Sequence, residues 1–139
     1  MAGGAHDGRP DMTSLRKTAS AVAEGVAALS RMTLGPDDQL DGPADVRDVI
    51  GSLSLAVSRM PQILGQLAVF LEIEQVKGAV ADDQGADARD YVREVSDALH
   101  RAGVDAEAMT AALDAAREAC ERVQVPDPGM RKEAWRARK

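Results

Sequence analysis

Apolar side chains recur every three or four residues over most of this 139-residue chain, almost without large anchors. Such spacing lines one face of an α-helix, because about 3.6 residues complete a turn. Alanine fills 25 positions, whereas Phe70, Tyr91 and Trp135 are the only aromatics. Small side chains let helices approach closely but wall in no roomy pocket. The pattern implies an all-α fold of slender, closely packed helices. No strand-like alternation and no internal repeat competes with it.

The helices can be placed in order. Residues 1–12 are Gly-rich and polar, and read as a disordered tail. Thr13 or Ser14 can cap a first helix ending near Leu34, stopped by Gly35-Pro36. Its stripe is Leu15, Ala19, Val22, Val26 and Leu29, as narrow as a coiled-coil seam. Gly25 weakens this helix unless a neighbour needs the close approach. After a turn-rich acidic connector, a second helical region runs from about Ala44 or Asp45 to between Val76 and Val80. It carries one stripe through Val46, Val49, Leu53, Ala56, Met60, Ile63, Leu67 and Phe70. A second stripe passes through Ile50, Val57, Leu64 and Leu71. Two stripes imply contacts on more than one side, which makes this the central element. Pro61 either kinks it or opens a new helix at its first turn.

Residues 81–87 form a second acidic loop, and Asp87 can cap a third helix with Tyr91, Val92, Val95, Leu99 and Ala102 inward. Gly103 then reads as a left-handed stop. Asp105 would cap a fourth helix carrying Met109, Ala112, Leu113, Ala116, Cys120 and Val123, ended by the Pro126–Gly129 turn. The expected architecture is an up-down bundle of four helices over residues 13–125, or five if Pro61 breaks the second. A basic tail spans 126–139.

Charge narrows the function classes. The net charge is −6, yet Met130–Lys139 carries five bases and one acid, so the remaining 129 residues carry −10. Such a body repels a phosphate backbone, which leaves nucleic-acid contact to the tail. The longest uncharged stretch, Met60 to Leu71, is too short to span a membrane, and no secretory h-region opens the chain. The single cysteine, Cys120, forms no disulfide within the chain and suits a reducing cytoplasm. Thirteen Arg against four Lys, with abundant Ala, Gly and Asp, point to a GC-rich bacterial genome.

The titratable residues form no reactive set. His6 and His100 lack a second ligand at metal spacing. Cys120 falls on the apolar stripe between Glu118 and Glu121, as a packed thiol does. Glu72 and Glu74, two apart, do not share a helix face and read as solvated neighbours of a stripe. The Asp-rich loops lack the oxygen pattern and central Gly of a calcium loop, and no phosphate-cradling Gly loop is present. Catalytic, cofactor and metal residues are therefore all expected to be none.

Leu99, Gly103 and Met109 also sit where a helix-turn-helix needs apolar, turn and packing residues. Its recognition helix would offer Glu107 and Asp114 to the groove, with no Arg, Asn or Gln to read bases. The same spacing describes any tight helical hairpin. The tail is the sharpest local feature: in a helix, Arg131, Trp135 and Arg138 share one face. That face could bind a partner groove, an anionic membrane or nucleic acid, or fold back on the acidic body.

The run RMPQILGQLAVFLE, Arg59 to Glu72, resembles an apolar-Pro-Gln-apolar-apolar segment of small helical proteins from high-GC Gram-positive bacteria and their mobile elements. The resemblance covers about a tenth of the chain. It implies an accessory role in the bacterial cytoplasm and transfers no site. The expected function is non-enzymatic: self-association or binding of a protein partner through helices. The alternative is a DNA-associated plasmid or phage factor that contacts DNA through its basic tail.

Overall fold

The computed structural model describes residues 12–35 and 39–126, with side chains from Ser14 onward. Arg131, Trp135 and Arg138 lie outside the described residues. The described residues are helical, with no strand beyond one isolated bridge. They fall into two compact units, residues 1–40 and 41–139.

The first unit contains α1, Met12–Met32. It begins before Thr13 and Ser14, so neither acts as the expected cap. Ser14 instead accepts through its carbonyl a hydrogen bond of 2.7 Å from Thr18 Oγ1. At the other end Thr33 donates both its N–H and its hydroxyl to Leu29 O, and Gly35 takes φ 66°. Glycine enters that left-handed region without a Cβ clash, and the helix, ending at Met32, stops just before the expected Gly35.

The second unit contains α2, Pro43–Ser58, α3, Met60–Val76, and α4, Arg89–Cys120. Pro43 suits the first helical turn, where its missing N–H has no intrahelical partner, and the Asp45 carboxylate reaches back to Asp41 N–H at 2.8 Å. Pro61 resolves the central segment into two helices. It occupies the first turn of α3, and only Arg59, with φ −90° and ψ −13°, separates α3 from α2. α3 ends in a Schellman motif: Gly78, at φ 72°, donates to Gln75 O and Ala79 donates to Glu74 O.

The connection to α4 is tightly organised. Asp82 Oδ1 accepts the N–H groups of Gln84 and Ala86, both at 2.8 Å, while Ala81 bridges to Asp87. Asp87 then accepts Arg89 N–H at 2.9 Å, but it stands one residue before the N-cap, Ala88, so it is not the expected cap of α4. From this tip, Glu72 meets Ser96, Pro61 meets Gly103, Ser54 meets Asp114 and Pro43 meets Cys120. Numbers fall along one arm as they rise along the other. α2 and α3 therefore lie end to end, antiparallel to α4, and pack on it rather than on each other. At about 1.5 Å per residue, the 32 residues of α4 reach roughly 48 Å, matching the combined length of α2 and α3.

This hairpin corrects the expected four-helix up-down arrangement of the sequence. Gly103 is no stop: its φ is not positive, and α4 runs through it unbroken. A Cβ built there would lie 3.6 Å from Pro61 Cα, so the two backbones approach closely at this point. Continuous contact with both α2 and α3 outweighs the roughly 1 kcal/mol that helical Gly costs relative to Ala. Without a turn at Gly103, the helix-turn-helix reading also falls.

A heptad rhythm runs through the inward faces. On α2 and α3 the buried or half-buried positions include Ile50, Ser54, Val57, Pro61, Leu64, Ala68, Leu71 and Gln75, alternately four and three apart. On α4 they are Val92, Ser96, Leu99, Gly103, Ala106, Thr110 and Leu113, then Cys120. The seam crosses the Pro61 break in phase. Large residues every seven positions (Ile50, Val57, Leu64, Leu71) alternate with small ones (Ser54, Pro61, Ala68), which is how antiparallel helices interlock at short range. Among the described residues no large side chain is fully buried, and Ala68, at 0% exposure, is the most enclosed.

Candidate association surface

The seam uses only one face of α3. That helix, MPQILGQLAVFLEIEQV, has no charged residue before Glu72 and is apolar around most of its circumference. A helix of that kind is normally enclosed on all sides. Here only α4 is packed along its length, through Leu64, Ala68 and Leu71. Ile63, Leu67, Phe70 and Ile73 lie outside the seam, from its flank to the far side, and remain exposed, Phe70 at 62% and Ile73 at 48%. Three of these four belong to the first of the two expected stripes, so the sequence carried this surface. Its further members Val49, Leu53 and Met60 turn partly inward.

The expected inward set on α4 is corrected. Val92 is buried and Leu99 and Leu113 are half-buried, but Tyr91, Val95, Ala102, Met109, Ala112, Ala116 and Val123 are exposed. The seam instead recruits Ser96, Gly103, Ala106 and Thr110. A hydropathy stripe overlooks such residues, because their inward placement depends on the facing helix and not on aversion to water.

Two polar contacts pin the hairpin's register. The buried hydroxyl of Ser54 donates to Asp114, and that of Ser96 donates to Glu72. Each pair joins a serine in the seam of one arm to an acid on the rim of the other, on either side of the Pro61–Gly103 approach. Glu72 therefore has a specific acceptor role beyond solvation, while Glu74 pairs at 3.6 Å with Lys77. A serine inside an apolar heptad facing an acid in matching register is the sequence signal for such a pair. It becomes legible only once the partner helix is known.

The remaining chemical candidates have ordinary settings. Cys120 is half-buried, and its Sγ lies 3.6 Å from Pro43 O at the open end of the hairpin. His100 is exposed and holds Nδ1 2.7 Å from Ser96 O. Asp90, Arg93, Glu94, Asp97, His100 and Arg101 line a shallow, open depression on α4. Its mixed charges face solvent, as on the outer side of an amphipathic helix. No three His, Cys, Asp or Glu among the described residues are grouped to hold a metal ion. No described helix is long and apolar enough to cross a membrane. The outer face of α3 is thus the surface whose composition is least matched to its exposure. Comparison with protein-family models, curated proteins and solved structures found no match, so the reading of this surface rests on its own residues.

Proposed function

We propose that the protein is a non-enzymatic helical association module, an accessory component of a bacterial cytoplasmic system that binds itself or another protein. The observation that carries this reading is α3: apolar nearly all round, covered along one face, with Ile63, Leu67, Phe70 and Ile73 exposed together. A contiguous exposed apolar surface is what helix-in-groove and helix–helix recognition use. The test is Phe70→Glu in the full chain. Helical circular dichroism should be retained while association is lost, whether seen as a concentration-dependent mass or as binding to a protein partner. Association indifferent to that charge would defeat the reading.

The five bases and one acid of Met130–Lys139 favour a second reading, a DNA-associated factor of a plasmid or phage. Arg131 and Arg138 would supply phosphate contacts and Trp135 an aromatic anchor. Binding to duplex DNA that falls steeply with salt and is abolished by Arg131→Glu with Arg138→Glu would support it. Binding unchanged by those reversals would remove it.

A further inference from the structure

The exposed apolar row of α3 has a companion on α4. Ile63, Leu67 and Phe70 each stand one position before a seam residue, as do Tyr91, Val95, Ala98 and Ala102 on α4, and all are exposed. One position is a turn of about 100°, and in antiparallel helices that turn brings both rows to the same side of the hairpin. The positions after the seam residues share the other side, where Glu72 of α3 and Arg93 and Asp97 of α4 line one depression. The Pro61–Gly103 and Glu72–Ser96 contacts set Ile63, Leu67 and Phe70 level with Ala102, Ala98 and Val95. One side of the tip is therefore apolar, with a ridge of large residues beside a trough of smaller ones.

The chain's own apolar segments fall short of this surface. Gln39 N–H donates to Met32 O at 3.0 Å, and Asp41 N–H donates to the Asp45 carboxylate at 2.8 Å. The link between those two anchors, Gln39 to Asp41, spans only about 7 Å. Laid along the arm, α1 would run level with it: Leu15, seventeen positions before Met32, comes level with Met60, seventeen after Pro43. Residues 1–11 hold no large apolar side chain but Met1. At the other terminus, a Cβ on Gly42 would lie 4.0 Å from Val125, so the chain leaves from the open end of the hairpin. Trp135 is ten residues further on, about 35 Å at full stretch, whereas Phe70 stands roughly 40 Å along the arm from Pro43.

Resting on the association reading above, we propose that a second copy of this chain covers the tip. The two hairpins stack apolar side to apolar side, tips together, about a two-fold axis along their length. That axis sets α3 of each copy on α4 of the other at the same level. Ile63, Leu67 and Phe70 then enter the trough over the partner's Ala102, the partner's Ala98 and the partner's Val95, large against small at each step.

Charge selects the same occupant. α3 carries none from Met60 to Leu71, so the acidic rim of α4, Asp90 and Glu94, faces the partner's Gln66 and the partner's Ile73 and meets no second acid there. Asp105 closes the α4 row and comes level with the partner's Arg59, on the facing rim. Among the described residues neither Arg59 nor Asp105 has an ion-pair partner in one chain. The two contacts are identical, so the assembly closes at two chains.

Sedimentation equilibrium of the full chain tests the pairing, with helical circular dichroism as the check on folding. The wild type is expected at the mass of two chains. Ala98→Arg fills the trough at an exposed position and should sediment as a single chain, its dissociation constant raised roughly 100-fold or more. Leu67→Arg repeats that test from the ridge should the first variant lose its helix. Arg59→Glu and Asp105→Arg set like charges together and should each raise the constant roughly 10-fold. Mixed in equal amounts, these two should return to the wild-type value, because both contacts of the mixed pair again join opposite charges.

A two-chain mass that survives Ala98→Arg overturns the pairing but leaves the association reading standing, as does recovery absent on mixing. A wild-type mass of one chain at every concentration overturns the second copy. The association reading fails separately, when Phe70→Glu changes neither self-association nor binding to a protein partner.

Discussion

The two sides of the α2–α3 arm invert the usual order of a globular protein. Facing α4 are Ser54, Pro61 and Ala68 between single aliphatic residues; facing solvent are Ile63, Leu67, Phe70 and Ile73. Apolar burial stabilises by roughly 25 cal/mol per Å², so the smaller residues occupy the side where burial is realised in one chain. Close approach explains the inner side, because a seam of small residues brings two backbones together over a long distance. The outer side gains its burial only when another helix covers it. Register and cohesion are thus assigned to different faces of one element.

Substitutions on the two sides should separate these roles. The largest effect is expected from Ala68→Glu, which forces a charge into the one fully enclosed position. A loss of about 3–5 kcal/mol would consume much of a small domain's stability, and thermal melting should show the helices gone near ambient temperature. Retention of the wild-type midpoint would mean that the seam is not the core. Gly103→Leu comes next, since its side chain must displace Pro61 where even a Cβ sits at 3.6 Å; denaturant titration should show a loss of about 1–3 kcal/mol. Gly103→Ala should move the other way, gaining up to about 1 kcal/mol from helix propensity.

Ser96→Ala removes a buried hydroxyl from Glu72, whose carboxylate can still turn to water, and should cost about 1 kcal/mol in the same titration. The smallest effect on the folding of one chain is expected for Phe70→Ser, within about 0.5 kcal/mol at concentrations too low for association. Its effect on association should nonetheless exceed that of any seam variant that still folds. A large unimolecular cost for Phe70→Ser would erase the distinction between the faces.

Much of the helical layout was legible in the chain, and the reason differs from one feature to the next. Pro61 and Gly35 act through their own backbone chemistry, so each could be read without knowing its neighbours. Gly103 could not. A glycine reads alike as a stop or as a close approach, and the choice was made by Pro61, forty-two residues away. Tyr91, Val95 and Met109 misled for a related reason, since apolar character shows a preference for burial but not which helix will supply it. The outer α3 stripe was visible as one of two parallel apolar rows. That the row facing α4 would be Ile50, Val57, Leu64 and Leu71 depended on the path of α4.

The tip at Asp82 has a kinetic consequence. Its two accepted hydrogen bonds fold the chain back over a few residues, and every pairing along the arms is nested outside it. Glu72 and Ser96 are joined across a short loop, and each later pair has to close only the small gap left by the one before. Loop-closure entropy is then spent in increments and not in one long step, which is the condition for rapid folding of helical proteins. The arms close like a zipper whose slider starts at Asp82, and the Pro43–Cys120 end is the last to meet and the first to fray.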